Sequence, residues 1–189
     1  MKTLAIALLL TFGSLVGRGQ TTVDNATFPP TLTHNTNNLV LNGEGVRKKM
    51  LFNVYSAGLY LHKKSKNGNA ICEADRLMVL RLQITSGMAN SSNMTEAIRE
   101  GFSKSAGANI AALQDRIDTF VDVFNREKIK EGDIFEIWYV PGMGVQPFKN
   151  GNFQANIEGL DFKKALFGIW LSDKPADASL KKSLLGRVK

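Results

Sequence analysis

Phe52-Asn53-Val54-Tyr55-Ser56-Ala57-Gly58-Leu59-Tyr60-Leu61, entered through Met50-Leu51, is a long run of aromatic and aliphatic residues with β character. Gly58 inside it predicts a bulge or the close approach of another group. Upstream, Asn35–Asn38 reads as a polar turn and Leu39-Val40-Leu41 as the opening of a strand. Gly43 and Gly45 punctuate that strand and predict a glycine-bearing turn, from which Arg47 emerges. Downstream, Lys63–Gly68 turns the chain, and Asn69–Ala74 reads as a short helix. Leu77–Thr85 then predicts another strand. Met78, Leu80, Leu82 and Ile84 share one of its faces; Val79, Arg81 and Gln83 share the other.

Helices follow. Thr95 onward carries Ile98 and Phe102 one turn apart, with Gly107 as the stop. Asn109–Phe124 repeats Ile110, Leu113, Ile117, Phe120, Val121 and Phe124 at helical spacing. Strands then return. Asp133–Val140 alternates, with Phe135, Ile137 and Tyr139 on one side, and Pro141–Gly144 reverses the chain. Val145–Phe148 and Phe153–Ile157 form a hairpin about Asn150-Gly151. Asp161 is the expected N-cap of a helix over Phe162–Leu171. A last helix is expected to start at Pro175 and end at Gly186. Strands, helices, strands, helices is the order of an α+β fold with an antiparallel sheet, not of a βαβ repeat. Helices packed on one face of such a sheet can enclose a small apolar ligand between the layers.

The N-terminus carries a separate signal. Lys2, an apolar stretch over Leu4–Val16 and small residues at Gly17 and Gly19 have the organisation of a secretory signal peptide. Residues 1–19 are read as that leader, with Gln20 as the first mature residue and residues 20–189 as one domain. The apolar stretch is shorter than the roughly 20 residues needed to span a bilayer. Lys2 and Arg18 leave with the leader, taking the formal charge from +7 to about +5. The remaining lysines and arginines are dispersed and accompany no recognisable nucleic-acid module. They predict a solvated basic surface, at most loosely drawn to anionic headgroups as a peripheral membrane contact, and not a nucleic-acid site.

Most catalytic signatures are missing. There is no glycine-rich phosphate loop ahead of a helix, no nucleophile elbow and no zinc motif. His34 and His62 lie far apart in the chain and lack carboxylate or thiol company, so no metal ligand set, cofactor site or triad is assigned. Cys72 is the sole cysteine; an intramolecular disulfide is impossible, and a buried structural thiol is expected. Glu96 and Glu100, one turn apart, read as a solvated helix face.

One cluster stands out: Asn42-Gly43-Glu44-Gly45-Val46-Arg47 followed by Phe52–Leu61. If the strand folds back beside the turn, the Arg47 guanidinium and the Tyr55 phenol converge. The first offers a fork that matches a carboxylate, and the second a further donor to the same oxygens. Spacing alone also allows a surface arginine and a structural tyrosine.

These two segments resemble the opening of the chalcone isomerase-like family, and in particular its exported bacterial branch. The similarity continues through Asp133–Gly144, where a strand ends in Tyr-Val-Pro-Gly. It runs on through the helix Phe162–Leu171 and the tail Asp173-Lys174-Pro175 to Leu180–Gly186. The resemblance implies an open-faced β-sandwich, a large antiparallel sheet with helices on one face and a cleft between them. The branch implies a periplasmic or extracellular location. Members of the family either close a flavanone ring or hold a fatty acid through an arginine and a tyrosine. By position, Arg47 matches the arginine of both groups. Tyr55 falls where the isomerases keep a threonine and the fatty-acid binders a tyrosine. Met88–Ala97, where the isomerases keep a tyrosine and an asparagine, contains no tyrosine, and Ala97 replaces the asparagine. The resemblance therefore implies a non-catalytic protein. It would bind a small amphipathic carboxylate, such as a fatty acid, through Arg47 and Tyr55, with no catalytic residue assigned. The alternatives are an isomerase or intramolecular lyase acting on a chalcone-like phenolic ketone, and an envelope module that binds another protein.

Overall fold

Met78, Leu80, Leu82 and Ile84 face one way along their strand and Val79 the other, and all are buried. A strand buried on both faces needs cover on both sides of its sheet. The computed structural model describes residues 20–187, so the expected leader at residues 1–19 lies outside the described residues. The element order is β1 (Thr21–Val23), β2 (Ala26–Phe28), β3 (Thr31–His34), β4 (Asn37–Lys49), β5 (Phe52–Leu61), α1 (Gly68–Glu73), β6 (Met78–Ile84), α2 (Ser91–Ala106), a 3-10 segment (Gly107–Leu113), α3 (Gln114–Asp122), β7 (Ile134–Val140), β8 (Gly144–Lys149), β9 (Asn152–Phe153), α4 (Leu160–Leu171) and α5 (Ala178–Leu184). β3 to β9 form one seven-stranded sheet in sequence order, each strand antiparallel to the next. The fold is α+β, as expected.

Helices cover one face. α4 lies deepest, with every residue from Phe162 to Leu171 buried except Lys164. Being buried nearly all round, it has no broad polar side. An aromatic layer joins it to its neighbours: Phe102 sits 5.5 Å from Phe162, and Phe124 stacks on Phe135 of the sheet at 4.7 Å. The β1–β2 hairpin crosses the opposite face, where Phe28 packs with Leu39, Leu41, Tyr60, Val79 and Trp138. Gly58 marks a close approach, because a Cβ there would stand 2.6 Å from the Phe28 ring.

The largest departure from the sequence reading concerns β4. Gly43 and Gly45 make no turn; the strand runs straight through them, and the chain reverses at Met50-Leu51. The glycines are there for α5, which packs directly on the strand. A Cβ on Gly43 would collide with the Ser183 carbonyl oxygen and approach that of Leu184 at 2.8 Å, and one on Gly45 would meet the Ser183 side chain at 2.5 Å. Gly43→Ala is therefore expected to cost about 1–3 kcal/mol, the range for overpacking, towards its upper end because backbone atoms cannot swing aside. A urea midpoint shift together with faster amide exchange over residues 178–184 is the readout.

Other boundaries also move. Of the helix expected over 109–124, residues up to Leu113 wind as the 3-10 segment and Ile110 is only half-buried; the apolar period holds from Leu113 to Phe124. Asp161 is not the cap of α4. Gly159 takes that position, and the Asp161 carboxylate pairs with both terminal nitrogens of Arg116 at 2.8 and 2.7 Å. The last helix starts at Ala178, not Pro175. Asp177 caps it, accepting from the Ser179 and Leu180 amides at 2.8 and 3.0 Å. The second arm of the last hairpin is regular only at Asn152–Phe153, with one further bridge from Val145 to Ile157.

Candidate functional site

Two β-bulges decide which side chains face the helices. Leu41 lies on the hairpin-covered face, and strict alternation would put Gly43, Gly45 and Arg47 there too. The register slips between Leu41 and Gly43, with Asn42 as the extra residue, and the rest of β4 is turned over. Asn42 is held in place by its side chain, which donates to the carbonyls of Ser65 and Leu184 at 3.0 and 2.7 Å and accepts from the Ser65 amide at 2.7 Å. The second slip falls between Arg47 and Lys48, where Val54 of β5 has no partner. Val54 and Tyr55, adjacent in sequence, consequently both join the helix-side core.

Arg47 and Tyr55 are direct cross-strand partners, so the structure brings the expected pair together. Both line a cleft between β5 and β6 on one side and α2 and α4 on the other. The polar end holds Arg47, Lys49, Tyr55 and Asn93; the walls include Leu82, Met94, Ile98 and Ile169. The open volume is about 50 Å³, on a scale where one water needs about 10–15 Å³. The cleft thus has room for a headgroup-sized guest and is nearly closed by its own side chains. Met88 and Met94, flexible thioethers that repack readily, stand among them. A wider groove of about 660 Å³ runs between α1, α2 and α4, but Arg47, Tyr55 and Trp170 all belong to the cleft.

Trp170 was not anticipated. Its indole Nε1 donates to the Tyr55 hydroxyl at 2.9 Å, and among the described residues that hydroxyl's own proton has no acceptor. Burial pushes the phenol above its ordinary pKa and outweighs the Trp170 bond and the Arg47 charge, which pull it down. Tyr55 therefore remains neutral at physiological pH, with its hydroxyl proton free to donate. Asp177 was also missed. Its Oδ2 accepts from Arg47 Nη1 at 3.2 Å and from the Lys48 amide at 3.3 Å. Burial of Asp177 raises its pKa, but the Leu180 and Lys48 amides and the Arg47 guanidinium together win and hold it below the usual carboxylate value. The sequence signal for Asp177 was its capping position before Ser179-Leu180; Trp170, inside an apolar helix, offered none.

Met88–Ala97 supplies one wall of the cleft: Met88, Asn93, Met94 and Ala97 all line it. No histidine, cysteine or carboxylate lines the cleft among the described residues. Cys72 is buried elsewhere, with its thiol pushed up to about 11 by burial, so it stays protonated and inert. Among the described residues there is no group of three His, Cys, Asp or Glu able to hold a metal ion. No described helix is long and apolar enough to cross a membrane.

No curated protein matches this chain. Among solved structures, the fatty-acid binding protein of Arabidopsis thaliana superposes with a TM-score of 0.71. The two chains are 18% identical, and the match covers 88% of this chain and 96% of that one. That likeness is one of fold. The family model described as chalcone isomerase-like matches residues 20–186; the chain belongs to the chalcone isomerase-like family.

Proposed function

We propose that this protein is a non-catalytic binder of a small amphipathic carboxylate, such as a fatty acid, and that it acts after export. The observation that carries the reading is the meeting, at one end of an apolar cleft, of the Arg47 guanidinium and a Tyr55 phenol whose own proton has no acceptor among the described residues. The guanidinium and phenol receive the headgroup, and the acyl chain displaces Met88 and Met94 to run along Leu82 and Ile98. A charge-assisted hydrogen bond contributes about 1.5–3 kcal/mol and each buried methylene about 0.8 kcal/mol. Affinity of delipidated protein should therefore climb steeply with chain length, and a flat series from short to long acids would refute the reading. Native mass spectrometry of protein recovered from its own compartment identifies the resident guest. Recovery of the chain with Met1 intact from the cytoplasm would remove the export part.

Asp177 competes with the guest, since it already offers Arg47 a carboxylate. Asp177→Asn keeps an N-cap for α5 while withdrawing the competing charge. The Arg47 and Asp177 side chains are only 20% and 12% exposed, so the pair contributes at the upper end of the surface range, about 1 kcal/mol, and the variant should bind carboxylates about fivefold more tightly. Quenching of Trp170 fluorescence follows the titration.

A further inference from the structure

The tight hairpin joining β4 to β5 carries the most exposed large apolar side chains among the described residues. Leu51 is 94% exposed, Met50 89% and Phe52 58%. Lys49 pairs with Phe52, so Met50-Leu51 is a two-residue turn, and Met50 holds φ at +56°. Such turns favour asparagine and glycine, because a positive φ is costly for other side chains. A methionine there, beside an almost wholly exposed leucine, is disfavoured both by backbone conformation and by exposure. Lys48 and Lys49 flank the tip and are exposed, and no ion pair joins either to a carboxylate among the described residues.

We propose that the hairpin tip Lys48–Phe52 is a membrane-docking element. It sinks Met50, Leu51 and Phe52 into the surface of an anionic lipid bilayer while Lys48 and Lys49 engage the headgroups. An apolar tip with a basic collar matches the two layers of such a surface, hydrocarbon below and negative charge above. A protein partner fits less well. A stable protein interface buries about 800 Å² on each side, more than a three-residue projection supplies, whereas lipid closes around a narrow tip from every direction. Lys49 also lines the cleft, as does Met88, which is 41% exposed. Docking thus brings the cationic end of the cleft to the lipid surface. That consequence rests on the carboxylate-binding reading; the docking itself does not.

The test is flotation of the chain from Gln20 onward, the part whose fold is described above, with phosphatidylcholine vesicles lacking or containing phosphatidylglycerol. The expected result is binding to the anionic vesicles that weakens with salt. Met50→Gly with Leu51→Asn places glycine at the one turn position with positive φ, so the variant folds, and should lose about tenfold or more in partitioning, as befits losing two apolar insertions. Lys48→Gln should lose about fivefold on anionic vesicles only. Equal flotation of the tip variant and the unaltered chain overturns the proposal. So does a self-association that the tip variant abolishes, which would make the tip a contact between copies. Carboxylate binding by the soluble protein is read separately, so failure of either idea leaves the other's result intact.

Discussion

Arg47→Met is expected to lower the affinity for a long-chain fatty acid by about 10- to 100-fold, the loss of one charge-assisted hydrogen bond of about 1.5–3 kcal/mol, and to leave the gain per methylene unchanged. The two halves of that result come from different ends of the cleft. In the proposed reading the guanidinium meets the headgroup, so its removal should shift every acid in a series by the same factor. The slope with chain length is set by Leu82, Met94, Ile98 and Ile169, which the substitution does not touch. Isothermal titration with acids of increasing length separates intercept from slope. An unchanged intercept removes Arg47 from the site. A flattened slope means that the variant has disturbed the wall through its partner Asp177, which lies 3.2 Å from Arg47 and caps α5. Tyr55→Phe serves as the companion: it keeps the ring in the core and deletes only the hydroxyl, so it too should shift the intercept.

The second large effect is on stability. Lys163 is fully buried on α4. Its ammonium donates to the carbonyls of Ile71, Cys72 and Ala74 at 2.7, 2.7 and 2.8 Å and lies 5.3 Å from the centre of the Tyr139 ring. Burial pulls the amine down to about 8, so at neutral pH it is charged and all three protons are used. These carbonyls are the C-terminal acceptors that α1 and the residue after it cannot satisfy internally. Lys163→Met keeps the length and apolar stem but leaves the buried carbonyls of Ile71 and Cys72 without a donor, while that of Ala74 keeps the Arg76 amide at 3.0 Å. The expected cost is roughly 2–5 kcal/mol, from about 1–3 kcal/mol for each buried carbonyl left unsatisfied. For a domain of this size that corresponds to a fall in Tm of about 10 °C. Exchange protection should be lost first over residues 68–74. Helix α1 lies away from Arg47 and Tyr55, so fatty-acid affinity at low temperature should be unaltered; a change would mean that α4 had shifted at Trp170.

Much of the scaffold was legible before any coordinates. The alternation of Met78–Ile84 assigned each side chain to its face, because a pleated strand leaves only two directions to point. The same holds for Phe135, Ile137 and Tyr139. Asn150-Gly151 announced its turn, and both residues have positive φ. The helix at 162–171 was visible from the apolar residues Ala165, Leu166, Ile169 and Trp170. Gly43 and Gly45 were legible as unusual and misread in kind: a glycine that opens a turn and one that admits a packed helix look alike in a list of residues. The difference lies in α5, more than a hundred positions away.

For the site, the local chain supplied Arg47 and Tyr55, since antiparallel neighbours joined by a short reversal must meet somewhere along the pair. That they meet on the helix-covered face was decided by the slips at Asn42 and Val54. A one-residue bulge leaves hardly any trace in composition, yet it inverts every side chain beyond it. Trp170 and Asp177 reach the pair across 115 and 130 residues, distances at which periodicity carries no information. Residue types and spacing thus determined the sheet, the helices and a candidate pair. Register and packing alone decided that the Tyr55 phenol is braced by the Trp170 indole and that Arg47 is paired with Asp177.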